Sequence, residues 1–369
     1  MKPSKILWVR ERFHWMGSHS GYDQLCEVMS KILPANYLSA WKEPGKRLPT
    51  GSKRFLYRLA KNTKASPFYD VTSIAADVSA LSKCCFHRPD ITHITYVENN
   101  LGILPKYGQS FYQKLIGTAH QPVSWWRLIH PHPESVRSLD ALIVPASREV
   151  SYFEQFLPGR VYFIPHGVDT HFFRPLPEEK ISFSAAPRCV FSGTWLRDIQ
   201  TLTKVIDKVL VQNPGIQFDI LVPRMKRDEV LFHWIARHEQ VSWHSGVSDE
   251  QLRNIYQQAS LLVLPIIDCT ANNAVLEAMS CGLPIISNRV GGLLDYTNSS
   301  FADLFEVGDV SGMATAILNL VDNMEEKKRR SQFARIHAEQ NFGWEVIAEA
   351  TFNLYLDVLK GKYQSPALN

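Results

Sequence analysis

LLVLPIIDCTANNAVLEAMSCGLPIISNRVGG, residues 261–292, begins with an apolar run, 261–266, that reads as a buried parallel strand. A polar loop follows, then a helix opening near Asn272 and carrying Glu277. A turn at Gly282 leads into a second strand, 284–287, which ends in a Gly-Gly turn. The unit is strand, loop, helix, strand, with the polar loop feeding a helix N-terminus. Such a terminus offers free backbone N–H groups and a positive dipole end, which suit a phosphate. Asn272 and Asn273 add amide side chains and a helix cap. Glu277, five residues on, is placed to accept hydrogen bonds from a hydroxylated group beyond that phosphate. Phosphate plus diol is how a protein would hold a nucleotide sugar.

Outward from this unit, short apolar runs alternate with longer amphipathic ones. In the first half strands are expected at 5–10, 91–97, 115–119, 141–144 and 161–164. Helices are expected at 22–33 and 71–86, with a further one capped by Ser147. A second series places strands at 189–191, 218–222, 241–244 and 261–266, and helices at 200–211, 228–237 and 249–259. This alternation argues for parallel sheets covered on both faces, and two series argue for two Rossmann-like halves. Ligands of such sheets sit at the carboxyl ends of the strands, so two facing halves would hold one in the cleft between them. PHGVDTHFFRPLPEEK, residues 165–180, reads as the join, with Gly167 in a tight turn and Asp169 capping the next. The expected domains are residues 1–168 and 169–344, followed by a helix over 345–360 with Ile347, Ala350, Leu354 and Val358 on one face. The tail 364–369 is expected to fray.

A length of 369 residues suggests two domains, and 45% hydrophobic with 21% charged residues is ordinary globular composition. Six scattered cysteines form no Cys-x-x-Cys, which argues against a zinc site and a disulfide frame and for a reduced, cytoplasmic protein. No apolar run approaches the ~20 residues of a membrane span, and the N-terminus lacks the features of a signal peptide. Net charge is +4, but residues 42–64 hold eight Lys or Arg against Glu43 alone. Around Lys53, Arg54 and Arg58 these cations interleave with apolar residues. Such a run suits an anionic membrane surface or an anionic acceptor, or else is a solvated face. It is local and carries no base-reading motif, so no nucleic-acid partner is expected.

Leu276-Glu277-Ala278-Met279 followed by Gly282-Leu283-Pro284 resembles the donor-binding region of the retaining GT-B glycosyltransferases of family 4. Their pattern has another Glu eight residues before the Glu of this run. Here that position holds Cys269, with Asp268 beside it as the substitute. Pro165-His166-Gly167-Val168-Asp169 resembles the family's interdomain segment, and Phe342-Gly343-Trp344 the approach to its last helix, which crosses back onto the N-terminal domain. The resemblance implies a GT-B fold of two Rossmann-like domains facing across a cleft. It implies a hexosyl transfer from a nucleotide diphosphate sugar to a glycan, lipid-linked or small-molecule acceptor hydroxyl, with retention of anomeric configuration. Glu277 would then bind the ribose hydroxyls and His120, at a strand end, the transferred sugar.

The family's Arg and Lys on the donor diphosphate are absent: Thr194 and Ile199 stand at their positions. Arg197 is the cation left in the loop that opens at Gly193, and a guanidinium holds phosphate oxygens bidentately. Its structural alternative is a surface pair with Asp198. Gly17 and Gly21 bracket a loop expected near the donor phosphate, with His19 as a polar contact; their spacing is not the dinucleotide GxGxxG. Trp125 and Trp126 could stack on the acceptor or fill the core. No Asp-x-Asp metal motif stands out, so neither metal nor cofactor is expected, the nucleotide sugar being a co-substrate. Two rival readings are a nucleotide-sugar epimerase on the same fold and a non-catalytic nucleotide-sugar binder.

Overall fold

The computed structural model describes residues 3–13, 16–42, 57–58, 60–61, 63, 65–177, 186–228 and 230–363. The chain divides into two compact units. The first comprises residues 1–16, 21–166 and 344–369, the second 17–20 and 167–343.

The first unit is built on six parallel strands: β1 (Lys5–Glu11), β2 (Asn36–Lys42), β3 (Ile91–Ile94), β4 (Lys114–Thr118), β5 (Ala141–Val144) and β6 (Val161–Phe163). Their order is β2-β1-β3-β4-β5-β6. The second unit repeats the plan with β7 (Arg188–Ser192), β8 (Gln217–Leu221), β9 (Val241–His244), β10 (Leu261–Leu264), β11 (Ile285–Asn288) and β12 (Ala302–Phe305), in the order β12-β11-β10-β7-β8-β9. Every strand pair is parallel. Central strands such as β5 and β10 are buried along their whole length, as sheets covered on both faces require. In each unit the winding reverses once, between β1 and β3 and between β7 and β10. A doubly wound sheet opens its ligand crevice at the carboxyl ends of such strands.

Two strands lie outside the sequence expectation, β2 and β12, and both are sheet edges. Edge strands are covered on fewer sides, so NYLSAWK and ADLF carry half-buried and polar positions instead of a continuous apolar run. Strand β3 stops at Ile94 rather than reaching residue 97. The Thr95 backbone N–H and hydroxyl both donate to the Val9 carbonyl, and a short helix, Val97–Asn100, begins. The expected helix at 228–237 shortens to Val230–Ile235. Ser147 opens a 3-10 turn, Ser147–Glu149, with no side-chain cap, before the helix Val150–Glu154.

The last helix, Trp344–Leu359, belongs to the first unit. It buries Ile347, Ala348, Phe352, Leu354, Tyr355 and Val358, whereas Ala350 faces solvent instead of joining the apolar face. The Tyr355 hydroxyl sits 2.6 Å from His93 Nδ1 and accepts from Trp8 Nε1 at 3.4 Å, fixing the helix to β1 and β3. At the join, Asp169 Oδ1 accepts from the backbone of His171 and Phe172, as a turn cap does. Gly167 is not among the glycines of positive φ, so the turn there does not depend on glycine's left-handed freedom. Most of the basic run at 42–64, and the tail 364–369, lie outside the described residues. Lys42 is described: it leaves the run to pair with Glu11 at 3.1 Å.

Candidate functional site

In the second unit the winding reversal brings the loop after β7 beside the loop after β10. They are stitched by backbone bonds from Asp198 to the Pro265 carbonyl, 2.9 Å, and from Ile267 to the Leu196 carbonyl, 3.0 Å. The turn needs unusual backbone: Gly193 has φ +88° and Leu196 has φ +56°. A Cβ on Gly193 would lie 3.0 Å from the Arg197 guanidinium, so glycine makes room for that group.

Arg197 does not pair with Asp198, which caps the helix Ile199–Gln212 through Thr201. Its Nε donates to the Ser192 carbonyl at 2.9 Å, Nη1 to the Trp195 carbonyl at 3.0 Å, and Nη2 reaches Asn272 Oδ1 at 3.4 Å. Burial lowers its pKa to about 10, which keeps it cationic at neutral pH. Asn272 is the N-cap of the helix Asn273–Ser280 and accepts from the Val275 N–H. The geometry thus joins the lone loop cation to a helix N-terminus carrying Asn272 and Asn273. A guanidinium has five N–H donors, and three are engaged among the described residues.

Cys269 lies in this loop, buried, and burial pushes its thiol up to about 12 although Arg197 acts in the opposite direction. It is therefore a neutral thiol at pH 7. Asp268 is half-buried, and its Oδ1 takes the Cys269 N–H at 2.8 Å. Gly291, at φ +52°, passes so close that a Cβ there would meet the Cys269 carbonyl at 2.1 Å.

Glu277 is 6% exposed, and burial raises its pKa to about 7. Its oxygens are already engaged: Oε1 accepts from the Ser20 hydroxyl at 2.6 Å and Oε2 from the Tyr256 hydroxyl at 3.1 Å. A carboxylate has about four acceptor positions, so lone pairs remain for a further donor. Ser20 comes from the segment 17–20, which packs as part of the second unit. Asp249 Oδ2 anchors that segment, accepting from the Ser18 N–H at 2.7 Å, the Ser18 hydroxyl at 2.9 Å and the His19 N–H at 3.3 Å. A Cβ at position 17 would overlap the Asp249 carboxylate at 1.5 Å, so a side chain there would displace that anchor. His19 stacks on Phe172 at 3.7 Å and bonds Asp169 through Nδ1 at 2.7 Å.

In the first unit Gly21, at φ +89°, starts the turn into the helix Asp23–Ile32. His120 follows β4. Its Nε2 donates to the Thr95 carbonyl at 2.9 Å, and Tyr96 and Tyr22 enclose the ring at 4.3 and 4.6 Å. Burial lowers its pKa to about 3, so it is a neutral imidazole and not a cation. Glu98 Oε1 accepts the backbone N–H groups of both His120 and Gln121, the latter at 2.7 Å, and so fixes this turn. The expectation of Trp125 and Trp126 as an open platform fails. They are 8% and 1% exposed, packed on each other and on Phe153, with Trp126 Nε1 bonded to the Gln121 carbonyl.

Sequence reasoning missed Tyr256, Asp249, Ser192 and Glu98. Tyr256 occupies an ordinary apolar position of its helix, and Asp249 an ordinary first-turn acid behind the Ser248 cap. Only the fold gives them partners. Among the described residues no group of three or more His, Cys, Asp or Glu could hold a metal ion, and no helix is long and apolar enough to cross a membrane.

Residues 186–323 match the family described as "Glycosyl transferases group 1". The MMP alpha-(1->4)-mannosyltransferase of Mycolicibacterium hassiacum is 23% identical over 273 residues, 65% of this chain. That alignment spans 64% of the mannosyltransferase, less than two thirds of its length. Among solved structures, the sucrose-phosphate synthase of Thermosynechococcus elongatus superposes with a TM-score of 0.74 at 17% identity, covering 97% of this chain and all of that one. Anabaena HepE in complex with UDP and glucose gives 0.69 at 14% identity, over 95% of this chain and 98% of that one. The chain has the GT-B fold, and residues 186–323 resemble the glycosyl transferases of group 1.

Proposed function

We propose that this protein moves a hexosyl group from a nucleotide diphosphate sugar to an acceptor hydroxyl, retaining the anomeric configuration and using no metal. The observation that carries the reading is the meeting of Arg197 with Asn272 at the β7/β10 reversal, with Glu277 five residues further along the helix. In this reading the helix N-terminus and Arg197 hold the diphosphate and Glu277 the ribose diol. Asp268 stands beside the leaving group. As the sugar–phosphate bond breaks, negative charge grows on the diphosphate and Arg197 meets it without reorganising. The departing diphosphate takes the proton of the acceptor hydroxyl attacking from the same face. His120 and Gly21 lie on the acceptor-side unit, where a neutral imidazole suits sugar hydroxyls. The UDP and glucose held by HepE are the kind of ligand this assignment requires.

A thermal-shift screen with UDP, GDP, ADP and their sugars tests the reading. A ligand at 100 times its Kd stabilises by about 2.7 kcal/mol; no shift with any of them would remove it. Transfer should also persist in EDTA. Complete loss in EDTA, restored by Mg²⁺ or Mn²⁺, contradicts the assignment of the diphosphate charge to Arg197.

Cys269 favours a second reading, a nucleotide-sugar binder without transfer. A buried neutral thiol cannot take hydrogen bonds as a Glu would at that position. Donor binding without transfer or hydrolysis across an acceptor panel would select it.

The acceptor in this proposal is a glycan, a lipid-linked sugar or a small molecule, with residues 42–64 meeting an anionic membrane. Charge reversal at Lys53, Arg54 and Arg58 should lower association with anionic vesicles, and high salt should mimic it. Wild-type protein that ignores such vesicles removes the membrane from the proposal.

A further inference from the structure

The second unit holds buried polar contacts at both ends of the site. Arg197 Nε donates to the Ser192 carbonyl. The Tyr256 hydroxyl donates to Glu277 Oε2 at 3.1 Å, with the Ser192 side chain near it. Tyr256 is fully buried and packs edge-on against Phe173 at 6.3 Å, so its ring has one orientation. A buried phenol is costly without a partner, and here Glu277 is its partner.

We propose that Tyr256 is a positioning residue for nucleotide binding: its hydroxyl orients the Glu277 carboxylate and leaves that group's other lone pairs for a ribose diol. The proposal rests on the reading of this unit as a nucleotide-sugar site. Tyr256 touches no ligand in it and acts only through Glu277.

The surroundings of Glu277 say what removing the hydroxyl does. Tyr256 and Asp249 face it from the helix Asp249–Gln258, Ser20 from the segment 17–20, and Cys281 lies a turn along its own helix. Arg253 and Arg335 act on Cys281 rather than on Glu277. Burial raises the Glu277 pKa and the bonds from Ser20 and Tyr256 oppose that rise, since both stabilise the ionised form. Asp249 adds to the rise. With the Tyr256 hydroxyl gone, one opposing bond is lost and Glu277 titrates at higher pH. The ionised carboxylate is the form that accepts two ribose hydroxyls. Nucleotide binding by Tyr256→Phe is therefore weakened most at and below neutral pH and recovers as pH rises.

The test is calorimetric titration of UDP, GDP and ADP into wild type, Tyr256→Phe and Glu277→Gln from pH 6 to 9. Ratios to wild type cancel the nucleotide's own phosphate titration. We expect Tyr256→Phe to bind the preferred nucleotide roughly 10-fold more weakly at pH 6.5, the equivalent of one pKa unit, and within about 2-fold of wild type at pH 9. Glu277→Gln should show a weakness that does not recover. A Tyr256→Phe ratio that stays constant with pH, or one near unity throughout, overturns the proposal. Tyr256→Leu, which also removes the aromatic packing, serves as the comparison for a purely structural role: a loss common to both variants and flat in pH assigns Tyr256 to packing alone. Failure of all three nucleotides to bind wild type would instead overturn the donor-site reading itself.

Discussion

Arg197→Ala should lower kcat roughly 10²–10³-fold, the loss typical of removing one preorganised donor from a developing charge, with a much smaller change in donor Kd. The asymmetry follows from where the charge appears. A bound nucleotide sugar already carries its diphosphate charge, and the helix N-terminus at Asn272 and Asn273 meets part of it. Bond cleavage adds charge at the β-phosphate, and an interaction that strengthens there acts on kcat more than on binding. The guanidinium is held by the Ser192 and Trp195 carbonyls, so it is in place before reaction. Arg197→Lys should give an intermediate rate: it restores the charge but loses the fork that spans these carbonyls and Asn272. Steady-state kinetics with donor binding measured separately decide the matter. A near wild-type rate in a folded Arg197→Ala protein would show that another group holds the leaving diphosphate.

The sequence carried the fold well where burial is symmetric and poorly where it is not. The run at 261–266 reads as a strand because β10 is covered on both faces. NYLSAWK escapes notice because it is an edge, with one of its seven residues buried. The candidate site divides on similar lines. Glu277 and Asn272 are visible as a local pattern on one helix, and Arg197 as the one cation in a loop. Their partners are not visible: Tyr256 lies 21 residues before Glu277 and Ser20 lies 257 residues before it. Contacts at that separation are created by sheet order, which no local spacing records. Trp125 and Trp126 mark the opposite error. Two adjacent aromatics after a strand end suggest a sugar platform, yet the short helix Val123–Ile129 turns both into the core. Residue type alone cannot distinguish the two outcomes, because the same apolar faces serve either.

Glu277→Ala should weaken binding of the nucleotide sugar by ~1.5–3 kcal/mol, the usual value of hydrogen bonds to a charged group, or roughly 10- to 150-fold in Kd. The carboxylate sits where a ribose would lie if the diphosphate rests on Arg197 and the helix start. No other carboxylate of the helix Asn273–Ser280 can replace it, since Glu277 is the sole acid among those eight residues. The substitution also strands the buried Tyr256 hydroxyl and the half-buried Ser20 hydroxyl, so it carries a folding cost of about 1–3 kcal/mol. Binding and folding must therefore be read apart. Glu277→Gln keeps an acceptor oxygen for one of those hydroxyls and should recover most of the stability, but its amide offers a ribose diol one acceptor where the carboxylate offers two. If loss of affinity follows the charge, Gln and Ala both bind weakly while only Ala melts early. If affinity follows stability, Gln binds like wild type, and Glu277 is a structural acid that pins the segment 17–20. Isothermal titration beside thermal melts of the same two variants separates these outcomes. An unchanged donor Kd in folded Glu277→Ala would take the residue out of the site altogether.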